Sequence, residues 1–291
     1  MASLKDIRTR IDSVKTTRQV TSAMKMVSAA KLKKAQDDIV KIRPYAEKLN
    51  DIIYDIISSL EEGHQLKLTE ERDLEKVLIV MITSNRGLCG AFNSNVSKEV
   101  NKLLNTDFSD LHQQSKVDVM SIGKQGEKLL KTAGTLCAIS NNAVYSDIAF
   151  HNVELISDQI IIDFLNKKYD KVILVYNEFV NAAVQNVSAK QFLPIELPKI
   201  DVNQTSDYIY EPSMNAVLED IVPKSLKTMF FSSILESIAS EHGARMTSMH
   251  KATDNASELI SDLELSYNKA RQGAITNEIL EIVGGAEALS Q

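Results

Sequence analysis

Cysteine is scarce: Cys89 and Cys137 are the only two in 291 residues, too few for a disulfide framework and without metal-ligand spacing. A reducing compartment is the simplest setting. Long apolar runs are missing as well. The longest, Val77–Ile82, falls well short of the roughly 20 residues a membrane span requires, so no transmembrane helix is expected. The N-terminus has no apolar core or small-residue cleavage site and is charged and amphipathic from Lys5 onward, which argues against secretion. The five histidines form no pattern, and His242 and His250 lie two helical turns apart, too far to share one metal. No metal, cofactor or catalytic residue is expected.

Glycine is absent before Gly63, and proline interrupts that stretch only at Pro44. Apolar residues at Leu4, Ile7, Ile11 and Val14, and again at Met24, Leu32, Ala35, Ile39 and Ile42, build one helical stripe. Between the two runs Arg18, Thr21 and Lys25 stand where apolar residues would continue it, which argues against a strict coiled-coil seam over the whole length. Ser3 can cap this helix, with Asp6 completing an imperfect capping box. The spacing predicts a helix from Ser3 to Ser59, on the order of 80 Å long. A bend or break is expected near Pro44, whose ring removes a donor and crowds the preceding turn. From Met1 to Arg43 there are eleven Lys and Arg against four Asp, a local charge of +7; the chain total of -6 leaves -13 for the remainder. A basic rod is joined to an acidic remainder.

The other end is helical too. After Pro212 the only further proline is Pro223, and Ala256, Leu259, Leu263, Tyr267, Ala270 and Ala274 hold a stripe that shifts to Ile275, Ile279, Ile282, Ala286 and Leu289. Such a helix would extend roughly 110 Å. The simplest cover for two long stripes is an antiparallel pair, with the second helix continuing beyond the first.

Between the ends, after a polar connection over Glu61 to Asp73, Val77 to Thr83 is a short apolar run rich in branched residues, as in a strand buried on both faces. A helix from about Asn93 to Asn105, a strand at Val117 to Ile122, a helical stretch from Gly123 to Lys131, a strand at Thr135 to Ile139 and a helix at Val153 to Asn166 follow. Lys171 to Tyr176 repeats the buried-strand pattern, Ala183 to Phe192 fits an antiparallel edge strand, and Leu193 to Pro212 is proline-rich and extended. The fold class expected is an α/β body, a small, mostly parallel sheet with flanking helices, plus a long antiparallel helical coiled-coil shaft made by the two termini. The expected divisions are an N-terminal shaft helix over 1–60, a globular domain over 74–197 and a C-terminal shaft helix over 212–291.

Ser84-Asn85-Arg86-Gly87-Leu88-Cys89-Gly90 follows a strand and precedes a helix, where phosphate-binding loops occur. Its glycine spacing matches neither the dinucleotide fingerprint nor the Lys-Ser/Thr phosphate loop. A tight turn using glycine for positive φ is the better reading, with an α/β nucleotide-binding enzyme as the alternative. Cys89 lacks a patterned base and is read as a small buried residue. The basic face of Arg8, Arg10, Lys15, Arg18, Lys25, Lys31, Lys33 and Lys34 contains no aromatic residue for base stacking, so a nucleic-acid partner is not expected. The lapse of the stripe near Lys25 suggests a polar protein contact. Gly243, Gly273, Gly284 and Gly285 suggest close backbone approach or fraying.

Two end segments carry a resemblance. Leu4-Lys5-Asp6-Ile7-Arg8-Thr9-Arg10-Ile11 and Gln19-Val20-Thr21-Ser22-Ala23-Met24-Lys25-Met26-Val27-Ser28-Ala29-Ala30-Lys31 resemble the opening of the gamma subunits of F-type ATP synthases. Ala239 to Met246, Lys251 to Ala256 and Tyr267 to Thr276 resemble the closing segment of that family, and Thr83 to Gly90 is similar to its turn after the first strand. The resemblance implies a central rotor without bond chemistry of its own. Its helices would enter a hexamer of alpha and beta subunits, while its body would sit with an epsilon subunit on a membrane c-ring. Proton flow would drive the rotation. By motif position, Met24 and Lys25 fall where the shaft meets an acidic loop of beta, and Arg245, Arg271, Gln272 and Thr276 fall where the C-terminal helix contacts alpha and beta. The weakly charged end from Ile275 to Leu289 would turn against an apolar sleeve. The redox insertion of plastid members is missing, and the motif starts too early to leave room for a transit peptide. Both features suggest a bacterial protein held peripherally on the cytoplasmic face of the inner membrane.

Overall fold

The computed structural model describes residues 4–58, 67–195, 211 and 213–289. The expected cap at Ser3, the first part of the 61–73 connection and the extended run through Pro198 and Pro212 lie outside these residues. The chain divides into two compact units, one formed by Met1–Ser28 with Met246–Gln291 and the other by Ala29–Arg245.

The larger unit is built on a five-stranded sheet of order β3-β2-β1-β4-β5, in which β1 is Val77–Ile82, β2 Val117–Ile122, β3 Cys137–Ser140, β4 Lys171–Phe179 and β5 Gln185–Leu193. All neighbours pair in parallel except β4 and β5, so the expected antiparallel edge strand is present. Every residue of β1 is buried, because helices cover both faces of the sheet. On one face Val77, Ile79 and Met81 meet Val96, Val100, Leu103 and Leu104 of α2 (Phe92–Asn105) and Leu130 of α4 (Lys124–Thr132). Their spacing is that of one helical face, and each buried aliphatic side chain contributes roughly 2 kcal/mol. The first half of α6 (Met214–Leu289) packs on β5 and is joined to α5 (Phe150–Leu165). Phe192 meets Phe230 at 5.6 Å between ring centroids, and Lys227 Nζ reaches Glu154 and Asp158, each at 2.8 Å.

Gly123 shows why α4 begins where it does. Its φ is 106°, and a Cβ there would lie 2.2 Å from the Thr83 carbonyl oxygen, so only glycine closes this corner. The tight approach lets Thr83 Oγ1 accept the Gly126 backbone N–H at 2.8 Å. The short helix α3 (Ser109–Gln113) and the 3-10 turn Ala143–Ser146 are too brief to carry a sequence period and were not expected.

The N-terminal helix α1 spans Leu4–Ser58 and continues through Pro44, so of the bend or break expected there no break occurs. Val40, whose carbonyl loses its partner at Pro44, is 67% exposed, so water can take the place of the missing N–H. A correction concerns the stripe. Ile11, Thr21, Ser28, Leu32, Ala35, Ile39, Leu49, Ile53 and Ile56 are buried, with Ile7, Val14, Arg18, Lys25, Ile42 and Ala46 half-buried at the intervening places. These positions alternate by three and four, so the seam continues through Arg18, Thr21 and Lys25 instead of lapsing there. The backbone period is unchanged, and long basic side chains can lay their stems along the seam while their charges reach water.

Candidate functional site

In the smaller unit, Thr21 Oγ1 and Thr253 Oγ1 lie 2.8 Å apart, and Lys15 Nζ meets Glu264 Oε1 at 3.1 Å. As one residue number rises the other falls, so the two helices are antiparallel. Thr253 Oγ1 lies 2.7 Å from the Met249 carbonyl and Thr21 Oγ1 3.1 Å from the Arg18 carbonyl, so either hydroxyl can donate across the seam while the other bonds its own helix. Along α6 here Met249, Thr253, Ala256, Ile260, Leu263, Tyr267 and Ala270 are among the buried or half-buried residues and alternate by three and four. The expected Leu259 is 38% exposed, and Ile260 takes its place.

Along this stretch Ile7, Ile11, Val14 and Lys25 of α1 and Met249, Ile260, Leu263 and Tyr267 of α6 are buried or half-buried. Met24 and Lys25 are half-buried beside the seam. Next to them Val20, Met26 and Val27 are exposed by 52%, 65% and 57%, an apolar surface that sequence reasoning missed. Val20, Ala23, Met24 and Val27 form a second stripe at helical spacing, and that was its legible signal. Arg271, Gln272 and Thr276 are all exposed, roughly 35 Å from Lys25 along the helix axis. Among the described residues no carboxylate pairs with Arg271, and Thr276 Oγ1 donates only to its own helix, at the Gln272 carbonyl. Beyond them Ile275, Ile279, Ile282 and Val283 stand in solvent. The structure therefore separates these residues into two levels along the smaller unit.

Arg245 belongs elsewhere. It lies in the larger unit, only 7% exposed, and its fork is fully engaged. One Nη bonds Glu241 Oε1 at 2.6 Å and meets His242 Nδ1 at 3.3 Å. The other donates to the carbonyls of Arg86 at 2.9 Å and Gly87 at 3.3 Å. Burial pushes the Glu241 carboxyl up, with Arg245 opposing the shift. Burial, then the charges of Arg245 and Lys31, hold the His242 imidazole down at about 4, so Nδ1 can accept from the guanidinium.

The turn that Arg245 holds is the one that suggested a phosphate loop, and its polarity is wrong for that role. A phosphate site offers backbone N–H groups, whereas here the backbone presents carbonyl oxygens to a cation. Ser84 Oγ also donates to the Arg86 carbonyl at 2.7 Å, and Ser84 N donates to Asn93 Oδ1 at 2.9 Å. Positive φ occurs at Leu88 and Gly90, not at Gly87. The sheet's switch point between β1 and β4, where doubly wound proteins bind ligands, is crossed by α6, whose Ser240 donates to the Asn177 carbonyl at 3.1 Å. Cys89 is 1% exposed, and burial above all raises its thiol, so it is no activated nucleophile.

An α/β unit whose ligand crevice is filled by its own helix, carried on a chain with a paired set of terminal helices bearing exposed cations and apolar residues, defines a subunit that works through contacts. Residues 3–289 match the family model described as ATP synthase. The ATP synthase gamma chain of Flavobacterium johnsoniae is 54% identical over 291 residues, and that of Christiangramia forsetii is 51% identical over 290, with 100% of each chain covered in both comparisons. In fold the chain is similar to one in the mitochondrial ATP synthase of Euglena gracilis captured with OSCP, F1 and c-ring in rotational state 3. The TM-score is 0.70 at 23% identity, covering 98% of this chain and 94% of that one. The chain belongs to the ATP synthase gamma-chain family. Its work is that of the rotary stalk, and catalysis lies with the beta subunits.

Proposed function

We propose that this chain is the central rotor of a bacterial, proton-translocating ATP synthase, held peripherally at the cytoplasmic face of the inner membrane. Residues 1–60 and 212–291 act as the shaft and 74–197 as the body. The shaft turns inside the hexamer of alpha and beta subunits, and the body meets the epsilon subunit and the membrane c-ring. Among the described residues no helix is long and apolar enough to cross a membrane, which suits a peripheral subunit. The observation that carries the reading is the outer surface of the helical pair. Met24 and Lys25, with Val20 and Val27 beside them, form one contact level, and Arg271, Gln272 and Thr276 form another. Lys25 supplies a mobile point charge for an acidic loop, while Arg271 can grip a carboxylate through a planar fork.

The test is coupling in the assembled complex. Met24→Lys adds a charge to a half-apolar contact and is expected to lower ATP-driven proton pumping severalfold relative to hydrolysis, with the chain still co-purifying in a single copy per hexamer. Normal coupling in that variant would remove the Met24 contact, and failure of the wild-type chain to co-purify with alpha and beta would remove the rotor reading.

A further inference from the structure

The turn from Ser84 to Gly90 has an unusual construction. Arg86 and Leu88 are exposed at its outside, Leu88 by 66% and with φ of 64°, a conformation that a leucine does not hold unaided. Its inside is fixed by Arg245, which takes the carbonyls of two consecutive residues, Arg86 and Gly87, from a helix far away in sequence. Glu241, one turn back on that helix, holds the guanidinium from its other side. Beneath the turn, Cys89 packs with Phe92 and Ala244 in a small apolar cluster next to Arg245.

We propose that Arg245 is a positioning residue: its guanidinium clamps this turn so that Arg86 and Leu88 are held outward, and any contact made here with another subunit runs through the turn, not through Arg245. A guanidinium that is 7% exposed and already shared between a carboxylate and two carbonyls has no donor face left for a partner. Lysine cannot replace it, because a point charge cannot hold Glu241 and both carbonyls in one plane. The route to the partner rests on the rotor reading; the clamp itself does not.

The native thiol gives a direct readout. In the full-length chain carrying Cys137→Ser, the rate of maleimide labelling at Cys89 reports opening of the turn. Arg245→Ala is expected to raise that rate roughly tenfold to a hundredfold, as for loss of charge-assisted bonds from a local opening equilibrium, with Arg245→Lys between it and wild type. Unchanged labelling in folded Arg245→Ala overturns the clamp; should that variant fail to fold, unchanged labelling in Arg245→Lys does so. In the assembled complex, coupling is then measured for Arg245→Lys, Leu88→Ala and the double variant. A double variant no worse than Arg245→Lys supports action through the turn, and fully additive losses overturn it. Labelling is read without partners, so a clamp that fails there is distinguishable from a rotor reading that fails in the complex.

Discussion

Replacing Gly243 and Gly273 with alanine should change stability in opposite directions, although both residues lie inside α6. Alanine gains about 0.8–1 kcal/mol over glycine in a helix interior, because it loses less backbone freedom. At Gly273 nothing lies within 4 Å of the added Cβ, so that gain stands alone. At Gly243 the new Cβ would sit 3.2 Å from both Cα and O of Ala182, backbone atoms that cannot rotate away. Overpacking of this kind costs about 1–3 kcal/mol, which offsets or exceeds the helix gain. Gly243→Ala should therefore leave the larger unit unchanged at best and up to about 2 kcal/mol less stable, read by urea unfolding of the purified chain. Gly273→Ala should slow hydrogen exchange of the amides around it by about fivefold. A Gly243→Ala chain that gained the full helix increment would refute the reasoning, since it would mean that the hairpin holding Ala182 moves aside freely.

Two further outcomes follow from the polar contacts. His242 titrates at about 4 in the folded chain, depressed by burial and then by Arg245 and Lys31, so the unfolded chain binds its proton first as pH falls. Its contribution is complete above about pH 7 and is lost as pH drops from about 6.5 towards 4, about 1–2 kcal/mol after discounting for the partly accessible ring; His242→Gln should flatten that part of the stability–pH profile, and an unchanged slope would contradict the assignment. Thr21→Val should cost no more than about 1 kcal/mol, because Thr253 keeps its bond to the Met249 carbonyl at 2.7 Å, and the Thr21→Val, Thr253→Val pair should lie within about 1 kcal/mol of wild type by thermal unfolding. A much larger loss in the single variant would mean that Thr253 is left without a partner.

Sheet topology was legible because β1 and β4 are short, branched and apolar, and their helices carry clean periods. Gly123 likewise marked the start of α4. The seam through Arg18, Thr21 and Lys25 was hidden by chemistry, since hydropathy treats a basic stem as polar although it can lie along an apolar partner. Whether Pro44 breaks its helix was not legible either: its cost depends on whether water reaches the Val40 carbonyl, a property of exposure and not of residue type. Met24, Lys25, Arg271, Gln272 and Thr276 came from motif position, and nothing in their spacing separates them from an ordinary solvated face. Arg245 could not have been placed from sequence, because its partners Arg86 and Gly87 are brought to it only by the folded sheet.

The end of α6 leaves Ile275, Ile279, Leu280, Ile282 and Val283 uncovered, each by about half or more. In a cell this makes surplus copies hazardous. An apolar patch that waits for partners will find other copies of itself, or a chaperone, whenever production outruns assembly. On the proposed rotor reading, copies made in excess of the subunits that would enclose this end should be cleared by proteolysis or accumulate as aggregate.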